Sequence, residues 1–282
     1  MTFKKRQLSK VPESKKIHAY VCTPAYDGKV ETGFAQALAE VSYCCPLYGI
    51  QITAGVMSNG AFIDLARNVF VKKFLEDYTD TTHLFFVDAD IKFQPNAFIG
   101  LLQADRPVSC GLYRRRQEPE EYPFRAVENP DGGGLWFVDD WLQCDRVPTG
   151  FLCIRRDVIE EMAKDAPRIR VHPTGEIPWL FHPKFQDEGG LAKIIEKYNL
   201  SPEFVKDYGG WIPSEGAKFV GEDYGWCDDF IERYQKKYGG PIAAWSNFDF
   251  VHGGHKGNLF EWMTEQKQQH DGVIPIETSK AA

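Results

Sequence analysis

The 282-residue sequence has no C-x-x-C pair, no long apolar run and no glycine-rich phosphate loop, and each absence excludes a class of protein. Its seven cysteines are odd in number; Cys44 and Cys45 are adjacent, and Cys22, Cys110, Cys144, Cys153 and Cys227 are scattered through apolar stretches. Neither a disulfide framework nor a thiolate zinc site fits that spacing, so free, buried thiols are expected. Lys4-Lys5-Arg6 and Lys15-Lys16 have no apolar core between them, unlike a secretory signal. No apolar run approaches the roughly 18 residues that cross a bilayer. A cytoplasmic protein without integral membrane association is the expectation. No G-x-G-x-x-G opens a helix after a strand. The only Gly-Lys pair, Gly28-Lys29, has Thr23 where a P-loop needs glycine. Dinucleotide oxidoreductases and P-loop NTPases are disfavoured.

The remaining composition is that of an ordinary globular protein. Hydrophobic residues make up 43% and charged residues 26%. A chain of this length buries about three quarters of its unfolded surface, so it needs no staples. The net charge of −7 argues against a general nucleic-acid coat, while leaving room for a local basic patch.

Residues 1–16 read as a basic tail. Strands are predicted at Ile17–Thr23, stopped by Pro24, and at Gln51–Met57, His83–Val87 and Pro107–Leu112. Between them fall a helix capped by Thr32, with Phe34, Ala37, Leu38 and Val41 on one face, a helix over 60–78, and one over Gln94–Gln103 started by Pro95. In the 60–78 helix, Ile63, Ala66, Phe70 and Phe74 form the apolar face, with Asp64, Arg67 and Asn68 off it. The alternation predicts an α/β fold with a mainly parallel central sheet flanked by helices. Leu84-Phe85-Phe86-Val87 is an apolar run of the kind covered on both faces.

The second half is less regular. Short strands are expected around Phe124, Trp136 and Leu142, then a strand at Gly150–Arg155 and a helix at Asp157–Ala163. A helix follows at Glu222–Tyr238 with Trp226, Phe230 and Tyr234 on one face, and a last strand at Phe248–Val251. Residues 166–218 are rich in Pro, Gly and aromatics, with one helix at Leu191–Tyr198; a loop of that length suggests a lid, in which Trp179, Phe181 and Trp211 stand out. The organisation expected is a tail at 1–16, one catalytic domain over 17–260 (donor half 17–112, acceptor half 113–260), and a polar tail at 261–282.

Several constellations could carry chemistry. Asp88-Ala89-Asp90 ends the buried strand, at the sheet edge where α/β proteins bind ligands. Two such carboxylates can share one hard cation, Mn²⁺ or Mg²⁺, with substrate phosphates completing its shell. His252-Gly253-Gly254-His255-Lys256 follows the last strand, with His252 a nitrogen ligand and Lys256 a phosphate cation. Glu222 and Asp223 open a helix, where acidic residues also complement the dipole; beside a metal, one of them suits a general base. Arg67-Asn68 could bind a diphosphate or ribose. Thr23-Pro24-Ala25-Tyr26 could border a nucleotide base on which Tyr26 stacks. Tyr113-Arg114-Arg115-Arg116 is a concentrated positive run.

In order, Thr23-Pro24-Ala25-Tyr26, Ala66-Arg67-Asn68, Thr82 to Asp90, Gly111-Leu112-Tyr113, Thr149-Gly150-Phe151, Gly221-Glu222-Asp223 and His252-Gly253-Gly254 resemble a glycosyltransferase of the GT-A fold, close to family 2, over about residues 17–258. The resemblance implies a Rossmann-like sheet and a nucleoside-diphosphate sugar donor, a UDP-sugar first. Asp88 and Asp90 would bind metal and nucleotide-sugar, His252 would contact metal or diphosphate, and Asp223 would be the base of an inverting transfer. Residues 166–218 match nothing in the family, so the acceptor stays open between a glycan and a modified base of viral DNA. A sugar nucleotidyltransferase and a metal-dependent phosphohydrolase are the alternative enzymes. A non-catalytic binding module is disfavoured by the intact acidic residues.

Overall fold

The apolar run after His83 is the centre of the fold. In the computed structural model, which describes residues 8–10, 12, 16–58, 62–186 and 218–269, strand β3 (His83–Val87) is buried along its whole length. Alternate side chains of β3 enter two cores. Leu84 and Phe86 join Phe70 and Phe74 of α2 (Ile63–Glu76), Val158 and Ile159 of α4 (Arg156–Asp165) and Trp226 of α5 (Glu222–Asp229). Phe85 and Val87 join Phe34, Ala37 and Val41 of α1 (Thr32–Leu47), and Phe98 and Leu102 of α3 (Pro95–Ala104). Helices on both faces explain why the strand sequence does not alternate.

Nine strands of the described residues form the central sheet. They are β1 (Ile17–Ala25), β2 (Ile50–Ser58), β3, β5 (Val108–Gly111), β6 (Arg125–Ala126), β7 (Phe137–Val138), β8 (Trp141–Arg146), β9 (Phe151–Arg155) and β14 (Ile242–Trp245). Their order is β2-β1-β3-β9-β5-β14-β8-β6, with β7 also on β8. Strands β2, β1, β3, β5 and β14 run the same way, while β9 lies antiparallel between β3 and β5. A separate small sheet joins β4 (Ile91–Phe93), β15 (Phe250–His252) and β16 (His255–Gly257). The hairpin β10–β11 (Arg168–Val171, Gly175–Pro178) and the pair β12–β13 (Lys184–Gln186, Lys218–Val220) complete the strands of the described residues.

The structure departs from the sequence reading in several places. Strand β1 runs through Pro24 to Ala25; Pro24 lies beyond the last rung shared with β3, Cys22 to Phe86, where the missing N–H costs no bond on that side. Thr32 is the first helical residue, and Glu31 occupies the cap position. Strand β14 fills a central position the sequence reading leaves empty, and the expected strand at Phe248–Val251 is β15, outside the central sheet. The helix at 222 changes to a π-turn over Phe230–Tyr234, with the Gln235 N–H donating to the Phe230 carbonyl at 2.9 Å. A further helix, α6 (Leu259–Gln269), buries Leu259 and Met263 where a polar tail is expected from 261. In the expected lid, Ile177, Leu180 and Phe181 are core residues, and Phe181 stacks on Trp226 with centroids 5.4 Å apart. The rest of that lid, 187–217, with Leu191–Tyr198 and Trp211, lies outside the described residues, as do most of the 1–16 tail and 270–282.

Candidate functional site

Asp88 leaves β3 into a tight turn. Its N–H donates to the Gly150 carbonyl at 3.0 Å, and the Ile91 N–H donates to the Asp88 carbonyl at 3.2 Å. Gly150, just before β9, has to be glycine, because a Cβ there would collide with Tyr113 Oη and Asp88 Oδ2. The Gly150 N–H donates to Tyr113 Oη at 3.2 Å. Burial pushes the Tyr113 hydroxyl well above its ordinary pKa, and the neighbouring Asp88 pushes it the same way.

Arg67 is 2% exposed, contrary to a placement off the apolar face. Helix α2 is covered on two sides, by the sheet and by the segment around Phe181 with α5. Burial alone would lower the guanidinium pKa; Asp88 and Glu222 outweigh it and hold Arg67 charged. Its Nη2 donates to Asp88 Oδ1 at 3.3 Å and its Nε to Glu222 Oε1 at 3.4 Å, while Nη1 is buried without a partner. One buried cation therefore joins the turn after β3 to the start of α5, where Glu222 lies 155 residues beyond Arg67 itself.

Asn68 is fully buried and taken up by structure. Its Nδ2 donates to the Asp64 and Phe181 carbonyls at 2.9 and 2.6 Å, and its Oδ1 accepts the Leu180 and Phe181 N–H groups at 2.8 and 2.9 Å. All four amide capacities are used, so none is left for a ribose or diphosphate. Asn68→Ala would leave two buried N–H groups unpaired, a loss of about 2–4 kcal/mol and a Tm lowered by about 5–10 °C. A thermal melt unchanged from wild type would contradict this clamp.

At the first turn of α5, Asp223 Oδ1 accepts the Tyr224 N–H at 2.7 Å. Burial, reinforced by the charge of Glu222, pushes the Asp223 carboxyl up to about 6. That value suits a group that takes a proton near neutral pH. Asp88, Tyr113, Glu222 and Asp223 all act electrostatically on Arg67, and Asp223 feels Glu222 and Asp88 in turn, so the structure brings these distant residues to one place.

Asp90 faces the small sheet. The Gly253 N–H donates to the Asp90 carbonyl at 3.2 Å, and His252 pairs with Ile91 across the strands. His252 Nδ1 bonds the Arg114 carbonyl at 2.9 Å, which requires the proton on Nδ1 and leaves a lone pair on Nε2. That Nε2 stands 3.6 Å from Asp90 Oδ2, and burial holds the imidazole below its ordinary pKa. Asp90 Oδ2 is buried and accepts no hydrogen bond; the Arg116 guanidinium and the neutral His252 ring lie beside it. Carboxylate oxygens with one neutral imidazole suit Mn²⁺ or Mg²⁺. Among the described residues, no three His, Cys, Asp or Glu side chains converge closely enough to hold an ion by themselves, and an ion here would need further oxygen ligands.

The other candidates are more dispersed. Thr23 and Ala25 are buried at the end of β1, and Tyr26 is 73% exposed beyond it, available for stacking. Ala89 accepts the Glu31 N–H at 2.8 Å through its carbonyl. Lys256 is exposed, and its carbonyl accepts Arg114 Nη1 at 3.5 Å. The positive run is largely neutralised: Arg114 pairs with Glu118 and Glu120, Arg115 with Glu121, and Arg116 with Asp90. The place of Tyr113 in the cluster and that of Arg116 over Asp90 escape a reading of the positive run as a surface feature. An aromatic directly ahead of three arginines at a strand end was the available signal.

Neither a protein-family model nor a curated protein sequence matches the chain. Among solved structures, it is similar to A197 from STIV, at 15% identity over 84% of this chain and 85% of that one, with a TM-score of 0.42. It is also similar to a glycosyltransferase involved in the glycosylation of the major capsid of PBCV-1, at 10% identity over 81% and 80% of the two chains, with a TM-score of 0.35. Likenesses of that size leave the functional reading to the residues themselves. No helix among the described residues is long and apolar enough to cross a membrane.

Proposed function

We propose that the protein is a glycosyltransferase that moves a sugar from a nucleoside-diphosphate donor, a UDP-sugar first, to an acceptor hydroxyl with inversion. The observation that carries this reading is the bridge from Asp88, at the carboxyl end of β3, through Arg67 to Glu222, which sets the half-buried Asp223, its carboxyl raised to about 6, beside the sheet edge where α/β folds bind ligands. Asp88, Asp90 and His252 would hold Mn²⁺ or Mg²⁺; when bound, such an ion supplies Lewis-acid neutralisation of the departing diphosphate. Asp223 Oδ2 takes the acceptor proton while Oδ1 stays on the Tyr224 N–H, which fixes the carboxylate in one orientation. Arg67, locked between Asp88 and Glu222, keeps the two halves of the site at a constant distance. The exposed Tyr26 offers its ring to the donor base.

The product separates this reading from a sugar nucleotidyltransferase with the same acidic pair. A sugar transfer releases a nucleoside diphosphate, whereas nucleotidyl transfer exchanges pyrophosphate. Incubation with radiolabelled UDP-sugars and a glycan acceptor mixture is expected to yield UDP and labelled glycan. Pyrophosphate as the released product would replace this reading with the nucleotidyltransferase one.

A further inference from the structure

Arg116 sits on the atoms that the proposed cation needs. Its side chain is 52% exposed, yet its guanidinium pairs with Asp90, and its Nε donates to His252 Nε2 at 3.0 Å. The second contact uses the lone pair left by the Nδ1 bond to the Arg114 carbonyl. The backbone is shaped around this arrangement. Gly253 has φ +54°, and a Cβ on it would come within 2.6 Å of Arg116 Cδ, so the stem of Arg116 rests where any other residue would carry a side chain. Arg114 and Arg115 have carboxylates of their own in Glu118, Glu120 and Glu121. Arg116 is the member of the run whose partners lie in the site.

The charges give the contact a purpose. Asp88, Glu222 and Asp223 share Arg67, and Asp90 faces Arg116, so four carboxylates stand against two arginines. Removing Arg116 would leave the half-buried Asp90 carboxylate without its guanidinium counter-ion, which is costly. A divalent ion and a guanidinium cannot both hold Asp90 Oδ2 and the His252 lone pair.

We propose that Arg116 is a built-in counter-cation. In the free protein it neutralises Asp90 and occupies His252; when an ion enters with the donor, Arg116 gives up both and pairs with the donor diphosphate. This rests on the cation site of the proposed function. It makes Arg116 a competitor of the ion in the free protein and a diphosphate contact in the loaded one. Because a competitor that leaves for the diphosphate couples the two ligands, ion and nucleotide each strengthen the other's binding through Arg116.

The test is Mn²⁺ binding by electron paramagnetic resonance titration, without a sugar acceptor and without turnover, on the full-length wild type, Arg116→Ala, Arg116→Lys and Arg115→Ala. Without nucleotide, Arg116→Ala is expected to bind Mn²⁺ about tenfold tighter than wild type, the factor expected on removing one charged hydrogen-bonded competitor. Arg116→Lys keeps a charge without the Nε donor and should fall between them, and Arg115→Ala should match wild type. With UDP added, the gap between wild type and Arg116→Ala should narrow. If wild type binds Mn²⁺ in the presence of UDP and Arg116→Ala binds it no tighter without UDP, the counter-cation role is overturned while the cation site stands. If no form binds Mn²⁺ even with UDP, the cation site is removed and this inference with it. Circular dichroism melts confirm that each variant is folded.

Discussion

Asp223→Asn is expected to lose about 10²–10⁴-fold of sugar transfer, the usual contribution of a positioned base, and to keep metal-dependent UDP binding. An acceptor hydroxyl attacks poorly until its proton is taken, and Asn cannot take it. Glu222→Gln should lose less, because Glu222 Oε1 faces Arg67 and acts on the reaction through that contact. The pH profile carries the same signature. Only the ionised form of Asp223 works, and burial and Glu222 raise its pKa to about 6, so transfer should climb with pH up to about 6 and level off above it. Stability should move in the opposite direction. A carboxyl whose folded pKa lies above its unfolded value makes the folded state pay for ionisation at neutral pH, and the penalty vanishes once both states are protonated. Without ligands, Asp223→Asn should therefore melt higher than wild type near pH 7 and equally near pH 3. Titration calorimetry, transfer assays and melts on the one variant are enough to check this. Full transfer by Asp223→Asn would assign Asp223 to the helix dipole alone and place the base elsewhere.

Asp90→Ala is expected to lower transfer by about 10³-fold or more, because a Lewis acid at a leaving diphosphate supplies several kcal/mol. The fold should survive. Asp90 meets the small sheet through its main chain, with its carbonyl accepting the Gly253 N–H, and its buried Oδ2 accepts no hydrogen bond. What the substitution removes is the carboxylate that Arg116 and His252 share. The variant should melt normally, and excess Mn²⁺ should not restore it. Wild-type rates in Asp90→Ala would remove this carboxylate from the reaction.

The fold was legible where one stretch of sequence decides its own environment. The run after His83 has no polar position, which only a strand covered on both faces tolerates, and the acidic pair at its end could be placed at the sheet edge from that alone. The misses come from contacts between distant segments. Ile242–Trp245 is four residues long and follows Gly239-Gly240-Pro241, and only β5 and β8 on either side make it a strand. The antiparallel insertion of β9 cannot be read from chain order, because strand-helix alternation is the same whichever way a strand enters. Arg67 looked exposed because only the sheet-facing side of α2 was counted; its second cover comes from residues 180–182 and α5. A signal was present, since Arg67 precedes Phe70 and Phe74 at spacings of three and seven, on the apolar stripe. Of the candidate site, Asp88, Asp90, Asp223 and His252 stand out in the sequence by residue type at element ends. The link from Asp88 to Glu222 and Asp223 through Arg67, and the contact of Arg116 with Asp90, required three dimensions.

The decisive measurement is nucleoside diphosphate release by the wild-type protein from a panel of nucleoside-diphosphate sugars, in Mn²⁺ and in excess EDTA, at a pH above 7. Release from at least one donor, stimulated by an acceptor mixture and abolished by EDTA, is the result the site geometry predicts. Release at the same rate in EDTA, or none from any donor in the panel, would contradict it.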